Sequence, residues 1–176
     1  MAPKAWRSLR TTIVVDSGAD NRTPAPGFTV TVPVPNGVRG LAIADLTGDG
    51  RLDIALCDTS SRTVTALVQG EAAPLTFTAR ALVELLSAPR ALEAGDLDGD
   101  GAMDLAAICS PRAFVGVPLL VRQDRAGILR PFLQVPQVTF TIGFNACLAD
   151  VNGDGDLDLL VGGAASSPGV GVLEGR

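Results

Sequence analysis

The sequence predicts an all-β protein assembled from repeated units, and three observations support that fold class. A nine-residue pattern, Asp-x-(Asp/Asn/Thr)-Gly-Asp-Gly-x-x-Asp, occurs three times, and its first aspartates, Asp45, Asp96 and Asp150, are 51 and 54 residues apart. A near-constant period of this size is typical of a repeat architecture. Segments rich in β-branched and aliphatic residues flank each copy, and helical periodicity is weak throughout.

Residues 1–36 precede the first acidic copy and contain two predicted strands. Thr11–Asp16 and Phe28–Val34 alternate or cluster β-branched residues, whereas Ser17–Gly27 between them is rich in Gly, Pro and Asn. That composition is typical of a loop joining two strands.

Each acidic copy is then predicted to join the first two strands of a longer unit. The first unit has strands at Gly40–Ala44, Leu52–Cys57, Thr63–Val68 and Leu75–Leu85. The second repeats them at Ala91–Gly95, Met103–Cys109, Phe114–Arg122 and Ile128–Val138. The third unit has strands at Ala146–Ala149, Leu157–Val161 and Gly169–Leu173. Ala79–Leu86 is the stretch whose pattern also fits a helix.

The three acidic loops predict sites for a hard divalent cation. Oxygen-bearing side chains at positions 1, 3, 5 and 9, with a backbone carbonyl at position 7, supply most of the six to eight oxygens that calcium takes. Closely spaced carboxylates repel one another unless a cation lies between them. The predicted positions are Asp45, Thr47, Asp49, Arg51 and Asp53; Asp96, Asp98, Asp100, Ala102 and Asp104; and Asp150, Asn152, Asp154, Asp156 and Asp158. An EF-hand is excluded, because position 12 is Leu56, Ala107 or Val161 rather than glutamate.

Composition restricts the partners and the chemistry. The chain has 176 residues and a net charge of −5, but eleven of its nineteen acidic residues lie in the three loops, so the acidity is local. We therefore expect no nucleic-acid partner. No segment approaches the ~20 apolar residues of a membrane span, and no export signal is visible. The absence of histidine and tyrosine removes Ser-His-Asp, Cys-His and His-zinc sites, so we expect no enzyme.

The three cysteines, Cys57, Cys109 and Cys147, are an odd number and lie in apolar runs. We expect each to be a small buried hydrophobe rather than a disulfide or a reactive thiol.

The segments Ala44–Ile54, Gly95–Leu105 and Ala149–Leu159 resemble the FG-GAP or VCBS repeats of integrin-α-like β-propellers, and the resemblance covers about residues 36–176. It implies blades of four antiparallel strands with calcium bound between the first two strands of each. Three calcium ions are expected. Binding should be weakest at the Asp45–Asp53 loop, where Thr47 is a neutral ligand.

The resemblance also implies a domain organisation. Residues 1–36 would be outer strands of a preceding or completing blade, 37–87 and 88–141 would be blades 1 and 2, and 142–176 an incomplete blade 3. Propellers typically close with four to eight blades. Three explanations stay open: the chain is a piece of a longer propeller, two or more copies complete a ring, or the first strands pair with the last blade.

The turns at the ends of the strands opposite the calcium loops hold four arginines, Arg39, Arg62, Arg90 and Arg112. In integrin-like propellers this face binds the ligand, so the resemblance implies a protein or glycan partner, held through bidentate contacts to carboxylates or other anionic groups. The alternative is four solvated surface arginines.

The function expected from these features is a non-catalytic, calcium-binding module for adhesion and recognition, outside the cell or on its surface. An accessory substrate-binding propeller of a secreted polysaccharide-active enzyme and a structural spacer are the alternatives.

Overall fold

The computed structural model describes residues 9–15, 28–34, 37–71, 76–112, 115–123, 129–134, 140–141, 143–163 and 169–175. Every regular element in these ranges is a β-strand, which confirms the all-β prediction. The described part of the chain contains no helix of the length and apolarity needed to span a bilayer.

The described residues form fourteen strands. They are β1 Leu9–Val15, β2 Phe28–Val34, β3 Val38–Ala44, β4 Asp53–Asp58, β5 Thr63–Gln69, β6 Phe77–Glu84, β7 Ala88–Gly95, β8 Asp104–Arg112, β9 Val115–Gln123, β10 Leu129–Gln134, β11 Phe140–Thr141, β12 Gly143–Ala149, β13 Asp158–Gly163 and β14 Gly169–Leu173.

The strands form antiparallel sheets, as a partial β-propeller requires. The first sheet has the order β3-β4-β5-β6, the second β10-β9-β8-β7, and the third β12-β13-β14, while β1 and β2 form a separate hairpin. The short strand β11 pairs with the beginning of β9, where β10 does not reach. Each acidic loop joins the first two strands of one sheet. The predicted domain boundaries stay a prediction, because a list of sheets does not by itself define domains.

The stretch whose sequence also fitted a helix, Ala79–Leu86, is a strand as far as Glu84. Residues 77–84 pair antiparallel with β5 along its whole length, from Thr63 opposite Glu84 to Gln69 opposite Phe77. The edge of β5 offers unpaired backbone groups, and satisfying them outweighs a weak helical pattern over two turns.

The three large sheets pack in chain order. We call the face of a sheet that is turned toward the next sheet its front, and the opposite face its back. Ala55 and Val64 on the front of the first sheet pack in one cluster with Leu105 and Ala107 on the back of the second. A second cluster joins the front of the second sheet to the back of the third; it contains Ala91, Ala106, Ile108, Leu159 and Val161.

The cysteines are all free, and two of them are buried as expected. Cys57 and Cys109 lie in the cluster between the first two sheets, and burial raises the pKa of the Cys109 thiol to about 12. The prediction is wrong for Cys147, whose side chain is exposed. Cys147 lies in β12 on the front of the third sheet, a face that no sheet of the described chain covers.

Candidate metal centre

The acidic loops are anchored at both ends by the sheets. Position 1 follows the last residue of one strand, and position 9 is the first residue of the next: Asp53, Asp104 and Asp158 begin β4, β8 and β13. These three carboxylates are at most 1% exposed, although the first and third of the loops that they close are largely exposed. A buried carboxylate requires hydrogen-bond donors.

Backbone amides supply those donors. Oδ2 of the position-9 aspartate accepts a hydrogen bond from the N–H of loop position 2, at 3.0 Å from Leu46, 3.1 Å from Leu97 and 3.0 Å from Val151. Oδ1 of Asp53 also accepts from Gln69 N at 2.8 Å, at the end of the third strand of its sheet.

Asp158 makes the same second bond, from Gly175 N at 3.0 Å, just after β14. Position 9 therefore ties the loop to the sheet through hydrogen bonds that need no ion. The sequence assigned it only a ligand role. The signal that could have revealed the tether is the place of this aspartate at the start of an otherwise apolar strand.

The position-1 carboxylate organises the remainder of each loop. Asp45 accepts hydrogen bonds from Gly48 N at 2.7 Å, Asp49 N at 3.1 Å and Gly50 N at 2.7 Å. Desolvation raises the pKa of Asp45, but the backbone hydrogen bonds together outweigh it, so the pKa lies below its usual value. A lowered pKa keeps the carboxylate ionised, which is the form that binds a cation.

The equivalent bonds recur in the other loops. Asp96 accepts from Asp100 N at 3.1 Å and Gly101 N at 2.9 Å, and Asp150 accepts from Gly153 N at 2.6 Å and Gly155 N at 3.0 Å. The glycines at positions 4 and 6 have φ between 71° and 97° in all three loops. Glycine adopts this left-handed backbone without the strain that a Cβ would add.

The second loop has the strongest geometric case for an ion. One carboxylate oxygen from each of Asp96, Asp98 and Asp104 lies within 4.8 Å of the other two. Two oxygens that bind the same calcium at roughly 2.3–2.6 Å are at most about 5.2 Å apart. The three carboxylates therefore fit around one calcium ion, and oxygen is the donor that a hard cation prefers.

The first and third loops do not bring three acidic side chains this close among the described residues. Each lacks a carboxylate at position 3, where Thr47 and Asn152 stand. In the third loop Asn152 Nδ2 instead donates to Asp154 Oδ2 at 2.8 Å. The pKa of Asp154 is lowered by the N–H of Asp156 and by this amide.

The first loop also contains its own cation. The Arg51 guanidinium forms ion pairs with Asp49, a predicted ligand at position 5, and with Glu71 Oε1 at 3.3 Å. The corresponding residues of the other loops are Ala102 and Asp156, which carry no positive charge.

The predicted arginine face lies at the opposite ends of the strands. Arg39 is in β3 and Arg62 directly precedes β5, and both are exposed. Among the described residues, neither forms an ion pair. Arg90 is half-buried in β7; Arg112 ends β8, and its side chain lies outside the described part.

Asp58, an acidic residue at the same end of the strands as the arginines, forms hydrogen bonds within its own turn. Asp58 is 4% exposed, and its Oδ1 accepts hydrogen bonds from Ser60 N at 2.7 Å and Ser61 N at 3.2 Å. It therefore stabilises the turn between β4 and β5, and its bonded oxygen is directed at backbone amides.

Comparison with protein-family models gives a match over the first two acidic loops. Residues 45–107 match the family model of the FG-GAP-like repeat, a match that begins at Asp45 and ends in β8. No curated protein matches the chain. The matched segment contains the first two acidic loops, so residues 45–107 are similar to the FG-GAP-like repeat, which agrees with the resemblance seen in the sequence.

Proposed function

We propose that this chain is a non-catalytic propeller module that binds calcium in its acidic loops and serves adhesion or recognition outside the cell. The observation that carries the proposal is the convergence of Asp96, Asp98 and Asp104, whose carboxylate oxygens lie within 4.8 Å of one another. Three acids this close destabilise the fold through repulsion unless a cation offsets their charge.

The residues that would hold calcium are those at positions 1, 3, 5 and 9 of each loop, with the carbonyl at position 7. Calcium supplies a positive charge that joins these oxygens. The chain itself supplies the rest: the position-9 tether holds the loop to the sheet, and the amides around position 1 orient that carboxylate. The second loop is expected to bind most tightly, and the first most weakly because Thr47 is neutral and Arg51 contacts Asp49.

An extracellular role follows from the affinity that such loops are expected to have. Extracellular calcium modules bind at roughly 10⁻⁴–10⁻³ M, a range that is saturated only where calcium is abundant. The absence of histidine and tyrosine from the chain supports a module without catalysis.

The recognition surface that we propose is the arginine face, formed by Arg39, Arg62, Arg90 and Arg112. Arg39 and Arg62 are exposed and form no ion pair among the described residues, so their guanidinium groups can bind an anionic partner. A guanidinium binds carboxylates in a bidentate manner, and both proteins and acidic glycans carry carboxylates. An acidic glycan would also suit the alternative role, an accessory module of a polysaccharide-active enzyme.

Calcium binding is tested by thermal unfolding with and without the ion. At a hundredfold excess over Kd, each occupied site adds about 2.7 kcal/mol to the free energy of unfolding, so the Tm should rise by several degrees and return when a chelator is added. Asp98→Asn should remove most of the contribution of the second loop. Glu84→Gln, an exposed acid outside the loops, is the control. A Tm that is indifferent to both calcium and chelator contradicts the proposal.

The recognition face is tested with heparin as an anionic glycan and with an acidic peptide as a protein mimic. Replacing the four arginines by alanine should abolish binding to whichever of the two probes the unmodified chain binds. Arg80→Ala is the matched control, because Arg80 is exposed but lies within the outer strand β6. Equal binding by the fourfold variant and the control rules out the arginine face. If neither probe binds the unmodified chain, the structural-spacer role is favoured.

A further inference from the structure

Large exposed apolar side chains concentrate on the two outermost sheet faces. Seven such side chains stand out among the described residues, and six of them fall into two patches. The back patch, on the first sheet, consists of Leu41 (44% exposed), Ile43 (56%) and Leu52 (59%). The front patch, on the third sheet, consists of Val151 (51%), Val170 (65%) and Val172 (48%).

Positions equivalent to the back patch are covered in the other sheets. Counted from position 1 of each loop, Leu41 corresponds to Leu92, which is 2% exposed in the cluster between the first and second sheets. Ile43 corresponds to Leu148, which packs against the second sheet. The third member, Leu52, corresponds to Met103, which packs against the first sheet.

Positions equivalent to the front patch are also covered. Gly162 and Cys57 are equivalent, because each lies twelve residues after position 1 of its loop. Gly162 pairs with Val170 and Cys57 pairs with Val64, so Val170 corresponds to Val64, which is fully buried. By the same pairing, Val172 corresponds to Ala66, which is 1% exposed.

The loop residue Val151 corresponds to Leu46, which is 5% exposed in the cluster between the first and second sheets. All three front-patch positions are therefore buried in the first sheet, which the second sheet covers.

The chain thus makes the same contact twice, front of one sheet against back of the next, and carries one unused half of that contact at each end of the row. Ile54, Leu56 and Leu67 on the back of the first sheet are already buried. Among the described residues, the large exposed apolar side chains of that face lie in β3 and at the residue before β4. The exposed Cys147 lies on the same face as the front patch, since it pairs with Leu160 and Leu160 pairs with Val172.

We propose that a second copy of this chain covers these patches, with the front of its third sheet packed on the back of the first sheet of the other copy. Two copies placed in this way use both patches of each chain and close a ring. Three large sheets per copy give six, within the four to eight blades that propellers typically have, whereas three copies give nine. Closure leaves neither patch exposed, in contrast to an open chain of copies. The proposal does not depend on calcium binding.

Sedimentation velocity over a range of concentrations measures the association, in calcium and in chelator. The unmodified chain is expected to form dimers. Leu41→Asp with Ile43→Asp removes the back patch, and Val170→Lys with Val172→Lys removes the front patch. Since burying one such side chain contributes a factor of about ten or more, each double variant should weaken dimerisation by at least about a hundredfold. Circular dichroism verifies that both variants are folded, which is expected because the four side chains are exposed.

Mixing the two double variants distinguishes front-to-back contact from other dimers. One of the two contacts in the mixed dimer is unmodified, and the other places Lys against Asp, so the mixture should dimerise although each variant alone is monomeric. Leu86→Asp is the control: Leu86 is 88% exposed but lies outside both patches, and its change should leave dimerisation intact.

Cys147 provides an independent readout of the same face. A maleimide should label this thiol in the monomer and label it at least about tenfold more slowly in the dimer, while Cys57 and Cys109 stay protected in both. A monomeric unmodified chain overturns the proposal and leaves the patches to further sheets of a longer protein. A dimer that survives the loss of the front patch overturns it equally.

Discussion

Arg51 is the residue that most distinguishes the first acidic loop from the other two. Its guanidinium contacts Asp49 and so competes with any cation for a predicted ligand. Glu71, the second partner, is exposed and lies outside the loop. We therefore expect the ion pair, which only the structure reveals, to lower the calcium affinity of the first loop in addition to the neutral Thr47.

Replacing Arg51 with alanine, the residue that the second loop has at this position, should strengthen calcium binding in the first loop. An exposed ion pair contributes a few tenths to about 1 kcal/mol. We therefore expect the Kd for calcium to fall by about two- to fivefold. Calorimetric titration measures it in a chain whose other loops carry Asp98→Asn and Asp154→Asn. Arg80→Ala in the same background is the control. An unchanged or higher Kd would show that Arg51 does not compete.

Asp53 and Asp49 have different roles although both are aspartates of the same loop. Asp53 is fully buried and accepts hydrogen bonds from Leu46 N and Gln69 N. Asp49 is exposed, and among the described residues its side chain bonds only to Arg51. Asp53 therefore stabilises the fold, whereas the carboxylate of Asp49 can bind a cation that displaces Arg51.

Asp53→Asn should lower the free energy of unfolding even in chelator, because an amide N–H group would then face a backbone N–H donor. Leaving a buried donor unsatisfied costs about 1–3 kcal/mol. Asp49→Asn should change stability little in chelator while weakening calcium binding. Urea unfolding in excess EDTA measures both. Equal stability losses for the two variants would contradict this division of roles.

At the scale of the strands, most of the fold was predictable because β-branched alternation and Gly-Asp-Gly turns mark strands and loops directly. β2 and β14 have the predicted bounds. β3 begins at Val38 rather than Gly40 because Val38 pairs with Asp58, a partner that local sequence does not identify. The two-residue strand β11 shows no pattern and exists through its pairing with β9.

The candidate site also has features that the local sequence predicts and features that it does not. The spacing of the aspartates identified the loops, since ligand positions in a short loop follow from the local sequence. The ion pair of Arg51 with Glu71 joins residues twenty positions apart, and the bond from Gln69 N to Asp53 joins two different strands. Such contacts depend on the packing of the sheet and could not be predicted from the loop alone. The exposure of Cys147 likewise depends on which sheet follows.

Gly40 sets how closely the first strands of neighbouring sheets approach. A Cβ at this position would lie 2.8 Å from Leu92 N, 2.8 Å from Cys57 Sγ and 3.0 Å from the carbonyl carbon of Ala91. Two of these atoms belong to the backbone of β7, which cannot rotate away. The contact between β3 and β7 therefore requires glycine.

Gly40→Ala should lower the free energy of unfolding by about 1–3 kcal/mol, the usual cost of overpacking. Gly162→Ala is the matched control: Gly162 is also in a strand, and its nearest atom, Asn145 O, is 3.9 Å from the added Cβ. Chemical unfolding at a low protein concentration, where association is negligible, compares the two. A Gly40→Ala chain as stable as the control would mean that the two sheets separate without cost.

In the part of the chain that the structure describes, the large sheets form a row in which neighbouring sheets pack against one another, so stability should vary along it. The second sheet is covered on its back by the first sheet and on its front by the third. The third is covered on its back alone, and Val170 and Val172 on its front remain exposed. A sheet with fewer buried apolar contacts opens at a lower free energy than a fully covered one.

Amide hydrogen exchange should therefore be slowest in β7 and β8 and fastest, among the large sheets, in β13 and β14. Leu159→Ala should widen the difference: Leu159 is 3% exposed in the contact between the second and third sheets, and its truncation costs about 2–5 kcal/mol. Leu105→Ala, at the equivalent position in β8, is the matched variant and should instead raise exchange in the first two sheets. Exchange that rises uniformly in both variants would mean that the row unfolds as one cooperative unit.

At concentrations that favour the dimer, exchange in β14 should slow while that in β8 stays the same, because the second copy covers the third sheet and leaves the middle of the row untouched.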